Sequence, residues 1–219
     1  MVLEHGRPVY ERGYGGVLAE RDMLGSPFQV LSGKDRQSEI LRVARFKKDL
    51  TALQRKFGEN GYLPFDTAMQ FCREHQAEDP LVPSKPFLQE LFKHITDIVT
   101  DSFGIDDIDI DDLRFFSSVD TPLDIFHGID GWIEIKHPQT GAFVSVTLDV
   151  TQNLEKLCDG HKADVIVQAI DHYPIPPRVK IPLPQEVAKY RQEMARFSAQ
   201  VQAVAQEICE HAFSYRKVA

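Results

Sequence analysis

The feature that most constrains the fold is a pair of alternating segments joined by a turn, within GIDGWIEIKHPQTGAFVSVTLDVT, residues 128–151. Residues 129–136 and 143–151 each alternate apolar and polar side chains, the pattern of a strand with two different faces. The connection between them contains Pro138 and Gly141, which favour a turn. The sequence therefore predicts a hairpin whose polar side chains share one face of a sheet.

Two further segments complete the predicted sheet. Residues 113–119 have strand character, and residues 163–170, ADVIVQAI, are mostly apolar, as expected of a strand buried on both faces. Residues 86–103 form an amphipathic helix before these strands, and residues 152–160 have the composition of a two-turn helix. We expect an α/β (α+β-like) fold with a mixed central sheet of about four strands flanked by helices.

The end of the chain predicts one long helix. Residues 185–216 lack Pro and Gly, and their apolar residues alternate spacings of three and four, which is a heptad seam. Such a helix would be roughly 45 Å long, so part of its seam should meet another helix. The partner is either the helix predicted at residues 35–57 or the same helix of a second subunit, and we favour a coiled-coil homodimer.

These patterns divide the chain into four parts. We expect an N-terminal arm at 1–33, a helical segment at 34–85, an α/β core at 86–182 and the long C-terminal helix at 183–219. The arm is assigned because its glycines and prolines interrupt any sustained period, whereas residues 35–57 and 65–76 both show helical spacing.

Composition excludes several classes of protein. No apolar run approaches the roughly 18 residues that span a membrane, and the polar N-terminus lacks the apolar core of a secretory signal, so we expect a cytoplasmic location. The three cysteines form no CxxC pair, which disfavours a cysteine-based zinc site. The net charge of −8 disfavours a broad basic surface, although Lys and Arg are concentrated locally between Lys34 and Lys56.

Asp130 and Asp149 are the first candidates for a functional site. Asp130 opens one strand of the predicted hairpin and Asp149 nearly closes the other, so an antiparallel pairing brings them together on the polar face. Two acids on neighbouring strands are a common way to hold a divalent metal ion. A solvent-facing strand has the same composition, and the spacing alone leaves both interpretations open.

The order of the helix at 86–103, three strands, a short helix and a buried strand, together with GIDGWIEI and VTLDVTQN, resembles the core of the PD-(D/E)xK (restriction-endonuclease-like) nuclease superfamily. The resemblance implies a site for Mg²⁺ (or Mn²⁺) held by Asp130, Asp149 and the backbone carbonyl of Val150. It also implies that Glu90, on the helix before the strands, supplies an additional acid.

One position departs from the family pattern. Thr151 stands where the family carries a lysine that orients the attacking water, and threonine supplies no positive charge. The lysine function then falls to one of three alternatives, Lys136, Lys156 or Lys162. The candidates for substrate binding are Thr151 itself, Gln152 and Trp132. The ring of Trp132 lies on the polar face, where it either stacks on a base or, as is commoner, is covered by a neighbouring helix.

The sequence therefore supports two hypotheses about function. The first is a Mg²⁺-dependent nuclease, a hydrolase of phosphodiesters, or a nuclease-derived DNA-binding protein that has lost catalysis. The second is a non-catalytic dimeric interaction or scaffold protein that retains only the fold. The choice between DNA and RNA stays open at this stage.

Overall fold

The computed structural model describes residues 3–4, 7–8, 16–29, 36–57, 62–104, 109–152, 162–170, 173–177 and 183–214. The α-helices among them are α1 (Gly16–Leu24), α2 (Arg36–Phe57), α3 (Phe65–Glu74), α4 (Pro86–Phe103), α5 (Pro122–His127) and α6 (Pro184–Ser214). The strands are β1 (Leu3–Glu4), β2 (Arg7–Pro8), β3 (Leu113–Ser117), β4 (Gly131–Lys136), β5 (Phe143–Thr151) and β6 (Val165–Gln168). A 3-10 turn, Ile110–Asp112, leads into β3.

The central sheet has four strands in the order β3-β4-β5-β6. β4 pairs antiparallel with both β3 and β5, whereas β5 and β6 are parallel, so the mixed sheet predicted from the sequence is confirmed. β4 and β5 form the predicted hairpin with Gly131 opposite Leu148. The short pair β1 and β2 forms a separate two-stranded sheet.

The main core lies between one face of this sheet and the helices α4, α6 and α1. Ile133 and Ile135 of β4 and Leu148 of β5 are buried there. Leu91 and Ile95 of α4 belong to the same apolar cluster. α4 follows the predicted range residue for residue because Pro86 favours its first turn and Gly104, in the left-handed conformation at φ 62°, ends it.

The second half of α6 packs on this core within the same chain. Phe197, Val201 and Ile208 are buried against it, and the helix has the length that the heptad seam predicts. The first half is different, since no side chain between Pro184 and Arg196 is fully buried in the part of the chain that the structure describes.

The opposite face of the sheet is covered as well, and this overturns one prediction. Trp132 is 0% exposed, and its ring stacks on Phe116 of β3 with ring centroids 4.9 Å apart. Ala68 and Cys72 of α3 and Leu123 of α5 complete this smaller cluster. Of the two interpretations of Trp132, covering by neighbouring helices is therefore the correct one, and its ring is not available to stack on a nucleic-acid base.

The predicted N-terminal arm includes a part of the core. Met23 and Leu24 of α1 are 0% and 2% exposed within the main cluster, so residues 16–24 are a structural element of the α/β core and not an appendage. α5 was not predicted, whereas the helix expected at 152–160 lies almost wholly outside the described residues. None of the described helices is both long and apolar enough to cross a membrane.

Because Trp132 is the chain's single tryptophan, its fluorescence tests this packing directly. We expect blue-shifted emission and weak quenching by iodide in the folded protein, and a red shift with strong quenching after unfolding in urea. A Trp132→Phe/Phe143→Trp variant is the control, since Phe143 is 40% exposed on the neighbouring strand β5. Strong iodide quenching of the native protein would show that the second face is open.

Candidate metal centre

Asp130 sits at the entrance to β4 and is fixed there by three hydrogen bonds. Its amide donates to the Leu148 carbonyl at 2.8 Å, and its carbonyl accepts from the Ser118 amide at 2.8 Å. Its carboxylate Oδ2 accepts from the Val150 amide at 2.7 Å. The residue is only 3% exposed. The strands on both sides therefore determine where this carboxylate lies.

Two acids from separate helices meet Asp130 at this point. One carboxylate oxygen each from Glu20 of α1, Asp124 of α5 and Asp130 lie within 4.8 Å of one another. We call these three residues the carboxylate cluster. Glu20 and Asp124 are half-buried, so the cluster lies at the boundary between the core and solvent.

The position of Asp124 follows from how α5 starts and stops. The Thr121 hydroxyl accepts from the Leu123 amide at 3.2 Å as an N-cap, and Gly128 ends the helix at φ 64°. The carboxylate of Asp124 accepts from the Asp120 amide at 2.8 Å. A six-residue helix between two such signals leaves little freedom for the Asp124 carboxylate.

The guanidinium of Arg21 stands near enough to the cluster to feel the charges of Glu20 and Asp124, and it is paired with Asp120. Nε and Nη2 of Arg21 each donate a hydrogen bond of 2.8 Å to the Asp120 carboxylate. These bonds raise the pKa of Arg21. Asp120 adopts the left-handed conformation at φ 69°, uncommon for a residue other than glycine. Arg21, which directly follows Glu20 in the sequence, is thus already paired with Asp120.

The electrostatic consequence appears at Asp130. Burial, followed by the charges of Asp124 and Glu20, raises the pKa of Asp130 from 3.8 to about 9, although the Val150 amide opposes this shift. Asp149 adds a smaller contribution in the same direction. At neutral pH the buried carboxyl therefore carries a proton unless a cation compensates its charge.

Asp149 lies where the hairpin prediction places it. Leu148 of β5 pairs with Gly131 of β4, so the next residue of β5, Asp149, lies opposite Asp130. The charge of Asp149 raises the pKa of Asp130. The two acids of the sequence prediction are therefore neighbours. The Val150 amide is the backbone group that the structure connects to Asp130, whereas the prediction assigned a role to the Val150 carbonyl.

Glu90 is not part of this arrangement, and its predicted role is corrected. Its Oε1 accepts a hydrogen bond from Ser198 of α6 at 2.7 Å and lies 3.3 Å from Nε2 of His94. Glu90 thus joins α4 to α6. The acid that lies beside Asp124 and Asp130 in the structure is Glu20 of α1.

The three candidate lysines have different outcomes. Lys136 forms an ion pair with Asp112 at 2.7 Å and stands six residues along the chain from Asp130, about 20 Å at the rise of a strand, so it does not serve this site. Lys156 lies outside the described residues. Lys162 donates from Nζ to the Phe126 carbonyl of α5 at 3.0 Å, on the helix that carries Asp124.

The predicted substrate-binding residues differ in accessibility. Gln152 is exposed, Thr151 is 6% exposed and Trp132 is fully buried. The Thr151 carbonyl accepts from the Ala169 amide at 2.8 Å beyond the end of β6. Of these three residues, only Gln152 presents its side chain to a ligand in solution.

Glu20 and Asp124 are the site residues that the sequence prediction missed. Asp124 had a local signal, since TPLDIFHG combines an N-cap threonine, Pro122 in the first turn and a terminal glycine. Glu20 had none, because more than a hundred residues separate it from Asp124 and only the packing of α1 brings them together.

No family model, curated protein or solved structure matches this chain. The resemblance to the PD-(D/E)xK superfamily rests on the two quoted segments and on the order of the elements. The described residues have the order α4, β3, α5, β4, β5 and β6, in which α5 was not expected, and the short helix expected before β6 lies almost wholly outside them.

The raised pKa of Asp130 predicts how stability depends on pH without metal. The folded state keeps a proton that the unfolded chain loses above pH 3.8, so stability falls as pH rises toward about 9. Asp130→Asn retains an acceptor for the Val150 amide and avoids this loss. In EDTA the variant should exceed the wild type in unfolding free energy at pH 8, and the excess should shrink by about 1.4 kcal/mol per pH unit down to pH 5.

Urea titrations at pH 5, 6.5 and 8 measure this trend. Asp97→Asn, at an exposed position of α4, controls for the loss of a carboxylate elsewhere on the surface. If the difference in unfolding free energy between wild type and Asp130→Asn stays constant across the three pH values, the pKa of Asp130 is not raised in the folded protein.

Proposed function

We propose that the protein is a Mg²⁺- or Mn²⁺-dependent nuclease that binds its cation at the carboxylate cluster. The observation that carries the proposal is a buried carboxylate, Asp130, held by the sheet within 4.8 Å of two further carboxylates from different helices. Such an arrangement is costly without a compensating positive charge, because burial and like charges both disfavour ionisation.

The residues of the cluster fit a hard divalent cation. Mg²⁺ and Mn²⁺ prefer carboxylate oxygens, and Mg²⁺ is held by few protein ligands because it keeps several of its waters. Glu20, Asp124 and Asp130 supply one oxygen each, with Asp149 adjacent. A bound cation lowers the pKa of coordinated water and offsets negative charge on a phosphodiester.

The chain's own residues have separate tasks in this proposal. The Val150 amide orients the Asp130 carboxylate, and the Asp120 amide orients that of Asp124. Lys162 is the candidate we favour for the missing motif lysine. Its Nζ lies 3.0 Å from the carbonyl oxygen of Phe126 on α5, the helix that carries Asp124. Its ammonium attracts the anionic substrate and orients water, which Thr151 cannot do.

The alternative is a non-catalytic dimeric scaffold that retains the fold. The observation that favours it is the first half of α6, where no described side chain is fully buried and Leu183, just before the helix, is 64% exposed. The heptad seam continues through this half of α6. In the scaffold hypothesis it pairs with α6 of a second copy of the protein.

Cleavage assays separate the two functions. With Mg²⁺ or Mn²⁺, the wild type should cut labelled single- or double-stranded DNA or RNA, and Asp130→Asn and Glu20→Gln should lose at least about 100-fold in rate because each removes a charged ligand. Glu90→Gln is the matched control and should stay close to wild type. Loss of activity in Glu90→Gln with retention in Glu20→Gln would contradict the assignment, and inactivity of the wild type on all four substrates would favour the scaffold.

A further inference from the structure

Positive charge in this acidic protein is concentrated on one helix. α2 contains seven Lys or Arg residues and two acidic ones, although the whole chain has a net charge of −8. Each of the other described α-helices has more acidic than basic residues, Lys and Arg being counted as basic. A polyanion approaching the protein therefore meets its most favourable potential at α2.

Six of the seven basic side chains of α2 are exposed, whereas Arg42 is half-buried and faces the loop after α1. Phe46 is buried against Phe28 and Phe71, and Leu50 and Leu53 lie half-buried on the same side. On the outer side, Arg45, Lys48 and Arg55 are exposed and follow the spacing i, i+3, i+10, which lines one stripe of a helix.

Most of these cations are available to a ligand. Arg45 lies 3.6 Å from Asp49, an exposed pair of little strength. Among the described residues, no acidic side chain forms an ion pair with Lys47, Lys48 or Arg55. Ten residues of helix separate Arg45 from Arg55, about 15 Å, which covers four to five base pairs at 3.4 Å each. The stripe therefore matches several successive phosphates.

A continuous set of contacts joins α2 to the carboxylate cluster. Arg42 donates to the Pro27 carbonyl at 2.7 Å and so holds the loop after α1. In that loop the Ser26 hydroxyl donates to Asp120 at 3.1 Å, and the Asp120 amide donates to Asp124 at 2.8 Å. The basic helix is thus fixed to the same framework as the acids.

We propose that the outer face of α2 binds the phosphate backbone of a polynucleotide and leads it to the carboxylate cluster. The inference deepens the proposed function and rests on it for the fate of the bound strand. Binding itself needs no metal, because it depends on Lys and Arg neutralising phosphates and releasing their counterions. α2 also explains how a protein of net charge −8 holds a polyanion.

Fluorescence anisotropy with a labelled 30-base-pair DNA in EDTA tests the surface. Arg45→Gln/Lys48→Gln/Arg55→Gln should weaken binding at least tenfold at low salt and reduce the slope of log K against log salt by about 2 to 3. The control Lys189→Gln/Arg191→Gln/Arg196→Gln removes three exposed charges from α6 and should bind within twofold of wild type. Far-ultraviolet circular dichroism confirms that both variants fold.

Four results would overturn the proposal. These are absence of DNA binding by the wild type, equal losses in both triple variants, an unchanged α2 variant, and preference for vesicles of anionic phospholipid over DNA. Metal binding is measured separately, so the two proposals fail separately. If DNA binds through α2 but Mn²⁺ does not bind, the proposal for α2 stands and the proposed metal-dependent nuclease is wrong. If Mn²⁺ binds but DNA does not bind through α2, the metal site stands and the proposal for α2 is wrong.

Discussion

The hydrogen bond from the Val150 amide to the Asp130 carboxylate connects the fold to its chemistry. Asp130 is held by strands on both sides, and the polar group it presents is buried where α1 and α5 each bring another acid. Burial and the neighbouring acids raise the pKa of this carboxyl, so the sheet that forms the core also creates the place at which we propose that a cation binds. The remaining proposals depend on this placement.

Two opposite electrostatic regions then share one framework. The carboxylate cluster attracts a cation, and α2 presents basic side chains to an anion, with Arg42, Ser26 and Asp120 connecting the two regions. Neither region alone indicates a nuclease, since buried acids and basic helices occur separately in many proteins. Their common framework supports the nuclease that we propose, because a phosphodiester substrate is anionic and a metal ion offsets its charge.

The sequence predicted the elements better than it predicted their surroundings. The hairpin, α4 and the long α6 followed from periodicities of 2 and 3.6 residues, which local sequence contains in full. The alternation in β4 also showed which residues share a face, but it left open whether solvent or a helix lies over Trp132, because nothing local reveals that α3 and α5 cover it. The family resemblance pointed to Glu90, and nothing in the sequence pointed to Glu20, because the position of either acid relative to Asp130 depends on how helices distant in sequence pack.

The central claim is that the carboxylate cluster binds a divalent cation, and calorimetric titration of Mn²⁺ tests it most directly. The account predicts saturable binding by the wild type and by Glu90→Gln, whose carboxylate serves the contact between α4 and α6. It predicts no binding by Asp124→Asn/Asp130→Asn, a substitution that keeps the hydrogen-bond acceptors and removes two charges. Equal binding by wild type and double variant, or none by the wild type, would contradict the account.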